Sequence, residues 1–386
     1  MRTARLGTLL MALLAMTLGM ASASYAQTLK IGIVGPMTGP AAPWGIALAE
    51  GAKILAARYN AQGGLDVGGT KHPIKMIIYD DFYSTPGAVA AYNRLAYEDG
   101  VKYMVVIAGI STMAIKQKAA DDKVVVMTAG YIAQELDPKS HYMYRMWGPP
   151  ADFFPPLIKW LHDNRPERRV VILNPNDETS RQNADLAEKL YKQDGYKVLT
   201  NQLYERSLKD FLPLLTKVLA LKPDMLDLGA TAPQTAAVLV RQARDFGFKG
   251  LIVDSGSTAW DEIIKGAGAK DAEGVINVFG ADPANKNYKK FAAQYRKAIG
   301  QEPNDVLAPY SDGINFLLQS IAASGSITDT SKFEAGFFKA APFTTIQGKK
   351  VGITGQKEYG IKHQVAETRY IGVIKNGKIV VLGTIH

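Results

Sequence analysis

From Leu29 onward the chain alternates short apolar runs with longer amphipathic stretches, and this alternation constrains its fold more than any other feature. The apolar runs have the length of strands, and the stretches between them have the spacing of helices. The runs of the first series are Leu29–Gly35, Ile74–Asp80, Val101–Ala108 and Val124–Thr128. Because parallel strands with helices on both faces are apolar throughout, this series predicts a parallel sheet in an α/β unit.

The same alternation starts again after residue 168. The runs of the second series are Arg169–Leu173, Lys197–Tyr204, Asp224–Leu228, Leu251–Asp254 and Val275–Phe279. Two successive series predict an α/β fold with two Rossmann-like, doubly wound lobes. Asn376-Gly377, between two later runs, predicts a β-hairpin. No long flexible linker separates the two series, so short segments that form a hinge are expected between the lobes.

Residues 1–26 have the order of a secretory signal peptide. Arg2 and Arg5 precede an uncharged apolar run, Leu6–Met20, and small residues follow up to Ala26. The run is too short to span a bilayer, so a signal peptide cleaved near Ala26-Gln27 is favoured over a membrane anchor. The chain has no cysteine, hence no disulfide and no lipid-anchor site near the cleavage point. These features predict a secreted, periplasmic protein, with an extracellular one as the alternative.

The residue patterns that enzymes need are absent from the sequence or wrongly spaced. No two of the five histidines stand at metal-ligand spacing, and no cysteine nucleophile, G-x-S-x-G elbow or Walker lysine motif occurs. Asp254-Ser255-Gly256 resembles half of an aspartic protease pair, but no second copy exists. Despite a net charge of +9, Lys and Arg are scattered among acidic residues. We therefore expect no catalytic residue, metal, cofactor or nucleic-acid partner.

Small and hydroxyl residues follow three of the predicted strands, at 108–112, 128–132 and 229–233. Ligands of open α/β sheets bind beyond the carboxyl ends of the strands, where helix N-termini present free N–H groups. Ser111 and Thr112 are therefore candidates to hold a ligand carboxylate, and the alternative is that they only cap a helix. Trp44, Tyr83 and Tyr131 lie in similar loops, where each packs either on a ligand or in the core.

Four segments together resemble the leucine/isoleucine/valine-binding family of periplasmic receptors, which are type I solute-binding proteins of ABC importers. The segments are LKIGIVGPMTGPAAPWG, ARYNAQGGL, IKMIIYDDFYSTPGAV and VRQARDFGFKG. The resemblance implies two lobes joined by a three-segment hinge, with ligand trapped when the lobes close. It implies lobe one as 28–147 plus 277–345 and lobe two as 148–276 plus 346–386. It also implies a monomer, and as partners the ABC permease and ATPase subunits of the inner membrane.

The resemblance also assigns site residues. Ser111 and Thr112, beside Ile110, match the family's carboxylate-holding loop, and Trp44 matches an aromatic position that contacts the ligand. Tyr83 is kept as a further aromatic candidate. The facing loop is matched by Gly130, Tyr131 and Ile132.

In the amino-acid binders of the family, a tyrosine stands where this chain has Thr179, an aromatic residue where it has Thr231, and an acid where it has Gly256. A buried ammonium without that acid is costly, although Asp177 or Asp254 are possible substitutes. We therefore expect a non-enzymatic receptor for a small carboxylate without an α-amino group, such as an aromatic acid. A receptor for branched-chain or other apolar amino acids is the alternative, and a sensory role is left open.

Overall fold

The structure is a computed structural model that describes residues 26–256 and 260–385. The predicted signal peptide, apart from Ala26, lies outside these residues. The strands, in chain order, are β1 Leu29–Gly35, β2 Leu65–Val67, β3 Thr70–His72, β4 Ile74–Asp80, β5 Tyr103–Val106, β6 Val125–Thr128, β7 Met143–Arg145, β8 Arg169–Pro175, β9 Lys197–Tyr204, β10 Met225–Asp227, β11 Leu251–Asp254, β12 Ile276–Phe279, β13 Phe343–Thr344, β14 Lys350–Val351, β15 Ile353–Thr354, β16 Gln364–Val365, β17 Arg369–Lys375 and β18 Lys378–Ile385.

The α-helices, in chain order, are α1 Ala42–Asn60, α2 Thr85–Asn93, α3 Gly109–Asp121, α4 Pro150–Asn164, α5 Glu178–Gln193, α6 Leu212–Leu219, α7 Pro233–Asp245, α8 Trp260–Ala267, α9 Ala269–Ala272, α10 Lys286–Ile299, α11 Leu307–Ser324, α12 Phe333–Ala340 and α13 Gln356–Tyr359. A π-helical turn, Arg94–Glu98, continues α2. Within the described residues, no helix combines the length and the apolar composition needed to cross a membrane.

The described residues form two seven-stranded sheets, each covered by helices on both faces. The order of the first sheet is β15-β16-β7-β6-β5-β1-β4, and its pairs are parallel except β15 with β16. The order of the second is β18-β17-β12-β11-β10-β8-β9, where only β17 and β18 run antiparallel to their neighbours. Separate apolar clusters fill the two faces of each sheet. This confirms the predicted two-lobed α/β fold.

The chain crosses between the sheets three times, after β7, after β12 and after β16. The strand pairing disagrees with the lobe boundary predicted between residues 345 and 346. Strand β16 still pairs with β7 in the first sheet, and the chain enters the second sheet only at β17, which pairs with β12. The pairing of β12 with β11 likewise puts residues 277–279 in the second sheet. We propose lobes that follow the sheets, with 26–147 plus 281–366 as lobe one and 150–279 plus 369–385 as lobe two.

Most predicted elements are present, with boundary shifts of a few residues. The sequence predicts a helix over Gln182–Gln193, and the corresponding helix α5 begins earlier, at Glu178, because the Asp177 carboxylate accepts the Ser180 N–H and caps it. Helix α4 and the small hairpin β2–β3 were not predicted. The predicted hairpin β17–β18 is confirmed, and its turn residues Asn376 and Gly377 have φ of 52° and 68°, as a two-residue turn of this type requires.

Candidate functional site

A pocket lies between the lobes, beyond the carboxyl ends of the parallel strands. Its empty volume, the open mouth included, is about 460 Å³. Four of its lining residues are aromatic, and none carries a charged side chain. The lining residues are Pro36, Trp44, Tyr83, Ile107, Ala108, Gly109, Ala129, Tyr131, Thr179, Ala230, Gly256 and Tyr310. The structure therefore brings together five of the predicted site residues: Trp44, Tyr83, Tyr131, Thr179 and Gly256.

The loop after β4 holds Tyr83 against the pocket in a strained conformation. Phe82 and Tyr83 both have positive φ, 52° and 50°, which non-glycine residues rarely adopt. Two carboxylates stabilise it: Asp80 accepts the Phe82 N–H at 2.7 Å and Asp81 accepts the Tyr83 N–H at 2.9 Å. The Tyr83 ring lies 6.3 Å from that of Trp44, so the two form an aromatic corner of the pocket.

The hydroxyl groups of Ser111 and Thr112 do not face the pocket, contrary to expectation. Ser111 Oγ donates to Asp81 at 2.7 Å, and Thr112 Oγ1 is hydrogen-bonded to Ala108 O and Thr128 Oγ1. Both residues are buried inside lobe one. They are not caps either, because α3 begins after Ala108 with no side-chain cap. What α3 presents to the pocket is its N-terminus at Ala108 and Gly109.

Ser111 supports the site from behind through Asp81. Burial raises the pKa of the Asp81 carboxyl to about 6, and the hydrogen bonds from Ser111 and the Tyr83 N–H oppose this rise. The same carboxylate thus accepts from helix α3 and from the strained loop. Ser111 is linked to the position of Tyr83 without lining the pocket itself.

The loop after β6 contributes only part of its predicted set. The N–H of Gly130 donates to Thr128 Oγ1 at 2.9 Å, and that of Ile132 donates to the buried Glu135 carboxylate at 3.1 Å. A Cβ on Gly130 would lie 2.0 Å from Glu135 Oε1, so only glycine fits there. Gly130 and Ile132 therefore stabilise the loop, while Tyr131 lines the pocket. Ile110, predicted from the loop after β5, does not line the pocket.

Thr179, near the start of α5 in lobe two, is the one lining residue with a buried hydroxyl that has no hydrogen-bond partner among the described residues. The residue is 3% exposed. A Cβ on Gly109 would lie 2.9 Å from Thr179 Oγ1, so this hydroxyl meets the N-terminus of α3 across the cleft. An unsatisfied buried hydroxyl beside free helix N–H groups is an arrangement that suits an anionic ligand.

The other predicted residues of lobe two form the floor of the cleft or support it. Thr231 is fully buried, donates to Leu228 O at 2.5 Å and is bonded to Tyr204 Oη at 2.8 Å, so its hydroxyl serves the lobe and not the pocket. Its neighbour Ala230 lines the pocket instead. Gly256 does line it, and its N–H donates to Gly229 O at 3.0 Å.

Two guanidinium groups stand behind the tyrosines of the pocket. Arg206 lies over the Tyr83 ring at 4.3 Å and donates to its hydroxyl at 3.3 Å. Arg369 donates to the Tyr131 hydroxyl at 3.3 Å from the third crossing. Arg206 also pairs with Asp177, so that carboxylate already has a counter-charge. Asp254, the other predicted substitute for the missing acid, accepts from Asn277 at 2.8 Å and does not line the pocket.

Sequence reasoning missed Tyr310, the two arginines and a buried acid, Asp305. Asp305 is 2% exposed, and neither of its carboxyl oxygens has a hydrogen-bond partner in the described part of the chain. Burial raises its pKa well above the usual value, with Asp261 and Asp254 contributing in the same direction. Nothing in the local sequence marks these residues. Tyr310 lines the pocket from α11, and the two arginines bond to lining tyrosines from the loop after β9 and from β17. Asp305 lies near Tyr310 and does not line the pocket.

The chain is similar to known proteins over most of its length. A profile of the family described as Periplasmic binding protein matches residues 28–378. The Leu/Ile/Val-binding protein of Citrobacter freundii is 27% identical over 340 residues, 86% of this chain and 88% of that protein. A leucine binding protein of Thermotoga maritima superposes with a TM-score of 0.79 at 22% identity, covering 93% of this chain and 99% of that one.

A further solved structure resembles the chain equally well in fold. It is the solute binding protein of an ABC transporter from R. palustris in complex with benzoate, with a TM-score of 0.78 at 17% identity. The superposition covers 93% of this chain and 96% of that one. Both structural likenesses confirm the type I fold expected from the sequence.

Proposed function

The chain belongs to the periplasmic binding protein family, and on that premise we propose that it captures a small aromatic carboxylate between its lobes. Members of this family are solute-binding receptors. In the proposed role the protein is secreted through a signal peptide at 1–26 and acts in the periplasm as a monomer. Ligand shifts its population towards a closed form, which delivers the solute to the permease of an ABC importer.

The observation that carries this proposal is the composition of the pocket lining. Trp44, Tyr83, Tyr131 and Tyr310 supply aromatic surface, and no lining residue carries a carboxylate. An α-ammonium group in this pocket would be buried without a counter-charge, which costs several kcal/mol by order of magnitude. The guanidinium groups of Arg206 and Arg369 bond to the hydroxyls of two lining tyrosines. The Asp81 carboxylate behind Tyr83 is already bonded to Ser111 and to the Tyr83 N–H.

The ligand carboxylate has a place without any arginine in direct contact. Helix α3 presents the unpaired N–H groups and the partial positive charge of its N-terminus at Gly109. Thr179 Oγ1, which lacks a partner among the described residues, lies on the other side of the cleft. A carboxylate that lies beside both groups in the pocket would accept from both lobes and so favour closure.

Amino acids are the second candidate, and two observations favour them. Relatives include a Leu/Ile/Val-binding protein and a leucine binding protein. The buried carboxyl of Asp305, which has no hydrogen-bond partner among the described residues, is near Tyr310. Burial is the main cause that raises the pKa of Tyr310, and Asp305 contributes in the same direction. A rearrangement that brings Asp305 to the pocket would give an ammonium its counter-charge.

Matched ligand pairs separate the two candidates. We would refold the protein to remove bound solute and measure calorimetric affinities for leucine with 4-methylpentanoate and for phenylalanine with 3-phenylpropanoate. The members of each pair differ only in the α-amino group. We expect benzoate to bind and each des-amino acid to bind at least about 100-fold tighter than its amino acid, as an uncompensated ammonium requires. Tighter binding of leucine than of 4-methylpentanoate would establish the amino-acid receptor instead.

A further inference from the structure

The hydroxyl group of Tyr131 is placed between the pocket and the hinge. It accepts a hydrogen bond from Trp147 Nε1 at 3.2 Å and another from Arg369 Nη1 at 3.3 Å. Trp147 lies at the first crossing between the lobes and Arg369 at the third. The side chain of Tyr131 also lines the pocket, so one phenol connects the ligand space with two of the hinge segments.

The two hydrogen bonds that the Tyr131 oxygen accepts determine where its own proton can be donated. A phenol oxygen has one proton and two lone pairs, and both lone pairs are used here. Neither the indole N–H nor the guanidinium can accept a hydrogen bond, so the Tyr131 proton has to be donated elsewhere. Among the described residues no acceptor for it is found, and the open space beside it is the pocket.

Arg369 is held rigidly enough to maintain this direction. Its guanidinium lies 3.7 Å from the ring centre of Trp147 and 3.9 Å from that of Phe153. It donates to Gly148 O at 2.5 Å and to the Glu367 carboxylate at 2.8 Å. With 1% of its surface exposed, it is fixed between two aromatic faces and cannot turn away from Tyr131 without losing these contacts.

A second lining tyrosine, Tyr83, also has a guanidinium group behind it, but its hydroxyl accepts one hydrogen bond instead of two. The Tyr83 hydroxyl accepts from Arg206 Nη2 at 3.3 Å, and the guanidinium covers the back of its ring. Burial raises the pKa of Tyr83 to about 12, so this phenol keeps its proton over the neutral range. Two tyrosines thus face the ligand space, each with a guanidinium behind it.

We infer that Tyr131 is a specificity-determining residue that donates its hydroxyl proton to an oxygen of the ligand, and that Arg369 is the positioning residue that keeps the proton turned inward. This rests on the proposed function and deepens it. The site takes ligands with an unprotonated oxygen, a carboxylate or a carbonyl, at this position, and it rejects an N–H donor or an ammonium there. Tyr83 is a second phenol beside the ligand space, and Arg206 occupies one of its two lone pairs.

The direction of the hydrogen bond can be tested without removing it. We would replace Tyr131 by 3-fluorotyrosine and 3,5-difluorotyrosine and measure benzoate affinity at a pH where the phenol stays protonated. Each fluorine makes the hydroxyl a stronger donor and a weaker acceptor. Affinity that increases with fluorination supports the donor role, and affinity that decreases or does not change overturns it.

Deletion variants measure the size of the effect. We expect Tyr131→Phe to weaken benzoate binding by about 10- to 100-fold, the range for a hydrogen bond to a charged group. The melting temperature of the free protein should also fall, because the buried Trp147 and Arg369 donors lose this acceptor. Tyr59→Phe is the matched control, because its hydroxyl donates to Asn315 within lobe one, away from the pocket. If the wild type binds leucine and does not bind benzoate, the proposed function fails. The role of Tyr131 is then tested separately, by measuring leucine affinity for the same Tyr131 variants.

A double-mutant cycle tests the part played by Arg369. Once Arg369→Lys removes the guanidinium fork, Tyr131→Phe should cost several-fold less affinity than it does in the wild type. If Tyr131→Phe costs the same affinity in the wild type and in the Arg369→Lys variant, Arg369 does not position Tyr131 and has only a structural role. If Arg369→Lys fails to fold, Trp147→Phe removes the other donor and leaves a smaller aromatic ring in its place, and the same cycle is measured on that variant.

Discussion

The first turns of helices α3 and α5 face each other across the cleft, and both carry hydroxyl side chains, but they use them in opposite ways. In α3, Ser111 and Thr112 bond back into lobe one, to Asp81 and Thr128. In α5, the Thr179 hydroxyl is buried and has no partner in the described chain. A hydroxyl residue after a strand end therefore indicates where a site lies, but not whether that hydroxyl binds the ligand.

The reason for the difference is how each helix begins. Helix α5 has a side-chain cap, Asp177, which accepts the Ser180 N–H and leaves Thr179 with no structural task. Helix α3 has no side-chain cap and starts after Ala108, whose φ is 78°. Its first N–H groups are therefore left without a side-chain acceptor, and they lie at the cleft because Ala108 and Gly109 line the pocket. Lobe one thus offers backbone donors and lobe two offers a side chain, and a carboxylate between them would bond to both.

The largest effect should come from Ser111→Ala, and it should be an effect on stability. The substitution removes a 2.7 Å hydrogen bond from the fully buried Asp81 carboxyl. Leaving that group less satisfied should lower the free energy of unfolding by about 2 kcal/mol, whereas ligand affinity should change less than about threefold. Ser320→Ala is the control, since that buried hydroxyl donates only to Phe316 O of its own helix. A loss of affinity with unchanged stability would place Ser111 in the binding site after all.

The same variant should depend on pH. The folded-state pKa of Asp81, about 6, is above the unfolded value of 3.8, so its contribution to stability is present below pH 3.8 and is lost as pH rises through 6. Ser111 opposes this loss by stabilising the ionised form. The stability difference between wild type and Ser111→Ala should therefore be smaller at pH 5 than at pH 8 in denaturant titrations. A difference that is constant with pH would show that Ser111 does not act through Asp81.

Thr179→Val should have the next largest effect, on affinity. The valine keeps the shape and removes the hydroxyl, so a carboxylate ligand loses one hydrogen bond, worth about 1.5 kcal/mol or roughly tenfold in Kd. Stability of the free protein should stay the same or rise, because a buried hydroxyl without a partner is removed. Calorimetric titration with benzoate and thermal unfolding without it measure the two quantities. If unfolding becomes easier and Kd is unchanged, Thr179 is a core residue.

The sequence allowed the fold and the position of the pocket to be predicted, because both follow from local patterns. Strands β1, β4 and β9 begin and end where their apolar runs do. Helix α4 was missed because Pro150, Pro155 and Pro156 resemble helix breakers, although its buried face is apolar. Side-chain directions were not predictable, since the partners that decide them are distant in sequence: Asp81 for Ser111, and Arg369 for Tyr131.

Thr112→Val should give a smaller change and extend the comparison within α3. Its hydroxyl is bonded to Ala108 O and to Thr128 Oγ1, and Thr128 still donates to Glu135 at 3.0 Å. Because Thr128 keeps that partner, we expect a loss of about 1 kcal/mol in stability and no change in Kd. Chemical denaturation of free protein and titration with benzoate measure both. Weaker binding would indicate that the N-terminus of α3 has moved, since this hydroxyl does not reach the pocket.

Thr231→Val should have the smallest effect on binding and is the closest match to Thr179→Val. Both are buried threonines of lobe two, Thr179 in the first turn of α5 and Thr231 in the loop after β10, and the substitution is the same. Within the described residues Thr231 Oγ1 bonds only to Leu228 O and Tyr204 Oη, so valine should reduce stability by about 1 kcal/mol and leave Kd unchanged. A tenfold ratio between the Kd values of the two variants would show that binding depends on the Thr179 hydroxyl, the lining hydroxyl that has no partner among the described residues. Equal losses would mean that lobe two contributes through the positions of its loops and not through the Thr179 hydroxyl.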